Sequence, residues 1–418
     1  MSTSLPRIDA GRLWWRTMAL AEIGALPAGG VNRQALSRED IAAWRRILIW
    51  AAEAGFSAAC DEAGNLFLTL PGADRSAPPI LSGSHLDSQP TGGKFDGAAG
   101  VMAALEAAIT LAESGLPRHR DLVVVAWMNE EGSRFAPGMM GSEVFAGVRS
   151  LEDIRQVRDA DGVSVGQALD TFLSAFPDVP CHAPGFPVGA FMELHIEQGP
   201  LLEAAETAIG IVTGIQGKYT YEVEILGAED HAGTQHMAAR RDALAAFTRM
   251  ASQLYAEIGG HDDEVKFTIG RIEMAPNAPS VVPARVTFRI DLRHPGDDVL
   301  SALGARLTAI CNANAAPCIV KVRQLVEAPP NTFAPTLRQL IGASAEARGY
   351  SAMPILSCAG HDARHLAKLC PTAMVFVPCR DGISHAENEF TSPEQLAQGT
   401  QVLADVLVKL VTHEGILP

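Results

Sequence analysis

The chain has 418 residues, of which 47% are hydrophobic and 19% charged, and a formal net charge of −15. That length exceeds one ordinary core and predicts two domains, and the composition is that of a globular protein rather than a disordered one. The acidic balance argues against nucleic acid as a partner, since counterion release needs a basic surface; no run approaches about 18 uninterrupted apolar residues, which argues against a membrane.

Met1 to Ile8 lacks the charged lead and apolar run of a secretory leader. Residues 37–55 read as a helix, with Ser37 as cap, Asp40 in the first turn and Gly55 as stop. Pro79 to Ser84 is a short apolar run that ends at His85, the pattern of a buried strand. A helix follows from about Ala98 to Ser114, with Val101, Leu105, Ile109 and Ala112 on one stripe. The run Asp121 to Met128 is a stronger strand signal and leads directly into Asn129-Glu130-Glu131. Residues 150–188, rich in Pro, Asp and Gly around one short helix, are expected to form a surface excursion. Phe191 to Ile196 is a strand carrying His195, and Ala373 to Val377 precedes the loop with His385.

Strands without polar alternation, separated by helices, imply an α/β fold: a mainly parallel sheet with helices on both faces. The ligand site of such a sheet lies at the carboxyl ends of its strands. Residues 217–326 have a different pattern. Lys218 to Glu224 alternates, a helix runs from about Arg240 to Ile258, and strands follow at Val265 to Glu273 and Arg285 to Arg293. A helix (Asp298 to Asn312) and a strand (Cys318 to Leu325) complete a β-α-β-β-α-β module of the α+β type. The expected division is therefore a catalytic domain of 1–214 and 330–418, interrupted by a smaller domain at 215–329 whose exposed sheet face suits a dimer contact. The seven cysteines are odd in number and include no CxxC, which reads as reduced thiols in a cytoplasmic protein.

The chemistry lies in five separated segments. His85-Leu86-Asp87 is followed by Asp96-Gly97, Asn129-Glu130-Glu131-Gly132, Glu193-Leu194-His195-Ile196-Glu197-Gln198-Gly199 and Gly382-Ile383-Ser384-His385. Imidazoles and carboxylates in this mixture suit a pair of borderline-hard divalent ions, with a spare glutamate as general base. Asp96 is the natural anionic bridge. His85 would hold one ion, with the Asp87 carboxylate accepting its second ring N–H. Glu131 and His195 or His385 would fill the other positions, leaving Glu130 to take a proton from water and return it to a leaving amine.

These segments, with His231-Ala232-Gly233-Thr234 and Gly360-His361-Asp362-Ala363, resemble the hydantoinase/carbamoylase amidase branch of the M20 metallopeptidase clan over nearly the whole chain. The block Glu193 to Pro200 is specific to that branch, which includes N-carbamoyl-L-amino-acid hydrolases, β-ureidopropionases and allantoate amidohydrolases. The resemblance implies one ion on His85, Asp96 and His195 and another on Asp96, Glu131 and His385, the metals being zinc or manganese, with cobalt or nickel also used. It implies Glu130 as general base, His231 as oxyanion stabiliser, and Gln198 and Arg293 as ligands of the substrate's ureido group and carboxylate. It also implies a homodimer formed through the inserted lid. Two departures stand out: Ser280 replaces the second asparagine of the family's PNxxNxxP motif, altering a substrate contact, and His236 replaces the proline of the usual TxPM in Thr234-Gln235-His236-Met237. The expected reaction is removal of the carbamoyl group from an N-carbamoyl-L-amino acid, with β-ureidopropionase or allantoate amidohydrolase as alternatives and a non-catalytic binding relic as a fourth reading.

Overall fold

In the computed structural model, which describes residues 5–413, the first two helices start at side-chain caps. Asp9 accepts from Arg12 N ahead of α1 (Ala10–Ala21), and Ser37 accepts from Asp40 N ahead of α2 (Arg38–Glu53). Residues 1–4 of the Met1 to Ile8 segment lie outside the described residues. Next, β1 (Ser57–Asp61) and β2 (Leu66–Leu70) form a hairpin closed by Asp61, whose carboxylate accepts the N–H groups of Ala63 and Asn65. The chain continues with β3 (Ile80–His85), α3 (Ala98–Ser114), β4 (Leu122–Trp127), α4 (Met140–Phe145), α5 (Leu151–Arg155) and α6 (Val165–Ser174). After these come β5 (Cys181–His182), β6 (Ala190–Ile196), α7 (Leu201–Ala204) and β7 (Ile209–Ile215). Residues 215–331 form a separate compact unit with β8 (Gly217–Leu226), α8 (Ala243–Glu257), β9 (Lys266–Ala275), β10 (Arg285–His294), α9 (Asp297–Ala313) and β11 (Ile319–Ala328). The first unit, 1–214 with 332–418, is completed by elements after this insertion. They are β12 (Asn331–Thr332), α10 (Pro335–Arg348), β13 (Ala352–Ser357), α11 (Ala363–Leu366), β14 (Thr372–Val377) and α12 (Pro393–Thr412).

The large sheet has ten strands in the order β12-β7-β14-β6-β3-β4-β2-β1-β5, with β13 paired to β7. Its centre, β14-β6-β3-β4, is parallel. By contrast, β2 runs antiparallel to β1 and β4, and β7 antiparallel to β14. The sequence pattern could not mark these reversals, because β2 is nearly as apolar and as buried as the parallel strands beside it. Helix α3 is buried along almost its whole circumference, lying against the sheet, α1 and α12. Its alanines make that close approach possible and explain its near-absence of a polar face. No helix among the described residues is long and apolar enough to cross a membrane.

Residues 150–188 are not the surface excursion expected. They hold two helices, begun by the caps Ser150 and Ser164, the latter with a reciprocal capping box to Gln167. Strand β5 then extends the sheet by pairing in parallel with β1. Ile154, Val165, Leu169 and Phe172 are buried, and Phe172 meets the Trp44 ring edge-on with centroids 4.8 Å apart. The prolines and most of the Asp and Gly that suggested a loop lie outside the two helices, while Asp153, Gly166 and Asp170 are within them.

In the second unit the order β11-β8-β10-β9 is antiparallel throughout. Tyr219, Tyr221, Val223 and Ile225 of β8 and Val286, Phe288, Ile290 and Leu292 of β10 face α8 and α9 in one core. The alternate positions carry Lys218, Glu222, Arg289, Asp291 and Arg293, a polar face set by the two-residue period. Helix α8 starts at Ala243 rather than near Arg240 because Asp242 caps it, accepting from Leu244 N and Ala245 N.

The packing of α6 gives a direct test of the 150–188 segment. Phe172→Ala should destabilise the protein by about 3–5 kcal/mol in denaturant unfolding. A cost below about 1 kcal/mol would mean that the segment is loosely attached.

Candidate metal centre

Three strand ends and two loops of the first unit deliver the titratable side chains. His85 ends β3, Glu130 and Glu131 follow β4, His195 lies near the end of β6, Asp96 precedes α3, and His385 follows β14. His195 Nε2 and His85 Nε2 lie 3.1 and 3.5 Å from Asp96 Oδ1. His385 Nε2 lies 3.3 Å from Asp96 Oδ2 and 3.4 Å from Glu131 Oε2. Two groups therefore share Asp96: His85, Asp96 and His195, and Asp96, Glu131 and His385. Glu130 Oε2 stands 3.6 Å from His85 Nε2. All are buried or nearly so except His385, whose side chain is half-exposed.

The local backbone is specialised for this convergence. Gly97 caps α3 at φ 62°, and any side chain there would overlap the His85 ring. Asn129, Gln198 and His385 adopt φ values of 53°, 57° and 55°, a region costly for residues with a side chain and typical of functional sites.

The donor atoms fit divalent cations. His85 Nδ1 lies 2.9 Å from the Asp87 carbonyl and His195 Nδ1 2.9 Å from the Ile196 carbonyl. A carbonyl can only accept, so each ring carries a proton on Nδ1, which leaves Nε2 as the atom that would meet a cation; His195 Nε2 also accepts from Gly97 N at 3.1 Å. His85 Nε2 is buried without a hydrogen-bond partner, an atom left for a ligand. The electrostatics agree. Two like charges about 4 Å apart repel by about 4 kcal/mol at an effective dielectric near 20, so this carboxylate cluster needs added positive charge. Without it, burial and then the Asp96 charge push Glu131 up to about 7. Burial, with Asp362, Glu131 and Asp87 outweighing His85, holds Glu130 well above the usual carboxylate range.

Asp87 acts differently from the expectation. Its main-chain carbonyl, not its carboxylate, meets His85 Nδ1; the nearer carboxylate oxygen is 3.6 Å away. The carboxylate instead accepts the N–H groups of Glu130 and Glu131, each at 3.1 Å. Gln198 Nε2 donates to Asp96 Oδ2 at 2.8 Å, leaving its Oε1 buried and without a partner.

Several neighbours received no role from the sequence, although Glu193, His361, Asp362 and Ser384 stand in the motifs quoted above. Glu389 accepts from Phe95 N and Asp96 N at 3.0 Å each and so fixes the bridging residue; burial and the Asp96 charge push it up to about 7. Ser384 Oγ lies 2.9 Å from both Asp96 Oδ2 and Glu389 Oε2. Glu193 is fully buried, held by Ser84 Oγ at 2.7 Å and Ala363 N at 3.2 Å. The His361 ring packs on His195 at 4.6 Å, and Asp362 accepts from Ser142 Oγ at 2.5 Å. Strand periodicity places Glu193 on the face of His195, a usable signal. Glu389, four residues beyond His385 in a loop, offered none.

The remaining predicted residues lie in the second unit. His231 is exposed, with Nδ1 accepting from Gly233 N at 3.0 Å. Its segment pairs with that of Ser280 through a bridge to Val281 and a bond from Ala232 N to the Ser280 carbonyl at 3.0 Å. Arg293 is half-buried and engages Asp291 at 2.7 and 3.2 Å, while Arg289 engages Glu222 at 3.2 and 3.1 Å. His236 is exposed just ahead of a 3₁₀ turn at Met237–Ala239.

Residues 81–409 match the model of peptidase family M20/M25/M40. The chain belongs to that family. Its amidase branch is equally clear: an amidase of the hydantoinase/carbamoylase family from Burkholderia multivorans superposes with a TM-score of 0.86 at 42% identity, over 98% of this chain and 100% of that one. An N-carbamoyl-L-amino-acid amidohydrolase of Rhizobium meliloti is 40% identical over 401 residues, covering 95% of both chains. An allantoate amidohydrolase of Bacillus subtilis is 36% identical over 404 residues, covering 94% of this chain and 95% of the relative.

The cluster also fixes a pH dependence for metal-stripped protein. Glu131 and Glu389 rise from 4.5 to about 7, and His385, hydrogen-bonded to Asp96, rises from 6.5 to about 9. Each holds its proton better in the folded chain, so its contribution is full below the unfolded value and fades as pH climbs through the folded one. Thermal unfolding of chelated protein should therefore shift to lower temperature between about pH 5 and pH 9, and a divalent ion should remove that decline. A midpoint in stripped protein that rises over this range would contradict the electrostatic account.

Proposed function

We propose that this amidohydrolase cleaves the carbamoyl group from an N-carbamoyl-L-amino acid, releasing the amino acid, carbon dioxide and ammonia, with two divalent ions as cofactor. The chain is a hydrolase of carbon–nitrogen bonds other than peptide bonds. The observation that carries the two-ion chemistry is Asp96 shared between two ligand groups with Glu130 beside them, and the choice of substrate is supported by the relatives named N-carbamoyl-L-amino-acid amidohydrolase. His85, Asp96 and His195 would hold one ion and Asp96, Glu131 and His385 the other. A nitrogen and carboxylate donor set suits zinc or manganese, and cobalt or nickel as well. Bound there, the ions would supply an acidified water nucleophile and polarise the scissile carbonyl.

The chain's own residues do the rest. Glu130 Oε2 takes a proton from the attacking water and returns it to the leaving nitrogen. Asp87 keeps Glu130 and Glu131 in place through their main-chain N–H groups. Gln198 Oε1, an acceptor with no protein partner, suits a ureido N–H. In the inserted unit, His231 would stabilise the oxyanion, Arg293 would bind the substrate carboxylate, and Ser280 would leave more room than an asparagine. We assign residues 215–331 as lid and homodimer contact and the first unit as the catalytic domain. Allantoate is the second reading, supported by the Bacillus subtilis relative; N-carbamoyl-β-alanine, the substrate of the β-ureidopropionase alternative, is the third.

A panel of N-carbamoyl-L-amino acids, N-carbamoyl-β-alanine and allantoate, assayed with added manganese, decides among these. The highest kcat/KM is expected on an N-carbamoyl-L-amino acid; preference for allantoate would replace this reading with the second. Glu130→Gln should keep its metal yet lose about two to four orders of magnitude in kcat. Loss of bound metal would make Glu130 a ligand instead.

Arg293 makes a separate prediction. Arg293→Ala should weaken substrate binding by about 2–5 kcal/mol, read mainly in KM, whereas Arg289→Ala should change it little. The reverse pattern would move the carboxylate site to Arg289.

A further inference from the structure

Arg33 is 2% exposed, and its hydrogen bonds go to main-chain carbonyls. Nε donates to Leu86 O at 2.7 Å, and one terminal nitrogen donates to Leu20 O and Ile23 O at 3.2 and 3.1 Å. Leu20 lies in the last turn of α1, where the carbonyls carry partial negative charge, and Ile23 just beyond it; the Leu20 carbonyl also accepts Ile23 N at 3.1 Å, so the guanidinium is an added donor there. The main chain of Arg33 grips the same loop: its N–H donates to Ser88 Oγ at 2.8 Å, and its carbonyl accepts from Ser88 N at 2.9 Å. One residue thus ties the end of α1 to Leu86 and Ser88, on either side of Asp87.

Asp87 faces the other way, its carboxylate accepting Glu130 N and Glu131 N, while the Ser88 carbonyl accepts from Ser133 Oγ at 3.0 Å. We propose that Arg33 is a positioning residue that sets Glu130 and Glu131 relative to His85, acting through the 86–88 loop. This rests on the reading of Glu130 as general base and Glu131 as ligand. The chain of contacts runs Arg33, Leu86 and Ser88, Asp87, then Glu130 and Glu131. Loss of the guanidinium releases the Leu86 carbonyl while the main-chain bonds to Ser88 remain, which loosens the loop, and with it the two carboxylates, without touching any atom that meets substrate or metal. Arg33 supplies a planar fork shared among carbonyls that a lysine ammonium cannot reproduce with the same reach.

The test compares Arg33→Met, Arg33→Lys, Asp87→Asn and the Arg33→Met/Asp87→Asn double variant of the full chain. In metal-stripped protein, Arg33→Met should speed amide exchange of residues 129–134 about tenfold or more, with exchange in α3 unchanged, because the opening is local. Calorimetric titration with Mn²⁺ should show affinity weakened about 10–100-fold, the range for supports of metal ligands. With metal and substrate saturating, kcat should fall and KM stay within about threefold. The double variant should lose little beyond the worse single variant, since both act on one connection. Exchange in 129–134 and Mn²⁺ affinity matching the parent would overturn the proposal, as would effects of Arg33 and Asp87 that multiply. Should Arg33→Met fail to fold, Arg33→Lys decides: intermediate losses support the proposal and parent-like exchange and affinity overturn it. An active Glu130→Gln enzyme alongside a loosened 129–134 segment in Arg33→Met would remove Glu130 from the mechanism and leave the positioning by Arg33 standing.

Discussion

Burying Asp96 among three imidazoles and several further carboxylates is the constraint on which the rest of the first unit depends. Asp87, Asp96, Glu193, Asp362 and Glu389 are buried, and Glu130 and Glu131 nearly so, around His85, His195 and His385. An interior keeps so many acids close only if something repays their desolvation and mutual repulsion. Main-chain N–H groups at Asp87, Glu193 and Glu389 repay part. The Nε2 atoms of His85 and His195, with each Nδ1 turned to a carbonyl, mark where cations would supply the rest.

That requirement explains features that otherwise look unrelated. The parallel centre of the sheet, β14-β6-β3-β4, ends its strands together, so residues far apart in sequence arrive at one edge. Gly97 has no side chain because the His85 ring occupies that space. Left-handed backbone at Asn129 and Gln198 turns the chain sharply two residues past β4 and β6, and at His385 within the longer loop after β14; side-chain hydrogen bonds of Asn129 and Gln198 hold the first two. The acids outside the ligand set work on the main chain: Asp87 fixes Glu130 and Glu131, and Glu389 fixes Asp96.

What could be read from the sequence was what local physics writes locally. Helix α3 was legible end to end because a glycine precedes it, a glycine stops it and apolar residues fill it. The strands β8 and β10 were legible because one face meets a core and the other meets solvent. The antiparallel runs β2 and β7 were not, since strand direction leaves no mark on a strand buried on both faces. The helices of 150–188 were obscured because each is short, and their turns dominate the composition. At the site, the side chains brought together at Asp96 stand in ordered motifs, whereas Arg33 and Glu389 are recognisable only from the partners that folding brings them.

The central claim is that Asp96 bridges two divalent ions, and element-specific anomalous diffraction from crystals of the manganese-loaded protein tests it most directly. The account predicts two peaks per chain flanking Asp96, one in contact with His85 and His195 and the other with Glu131 and His385. A single peak, or two peaks of which neither touches Asp96, would contradict it.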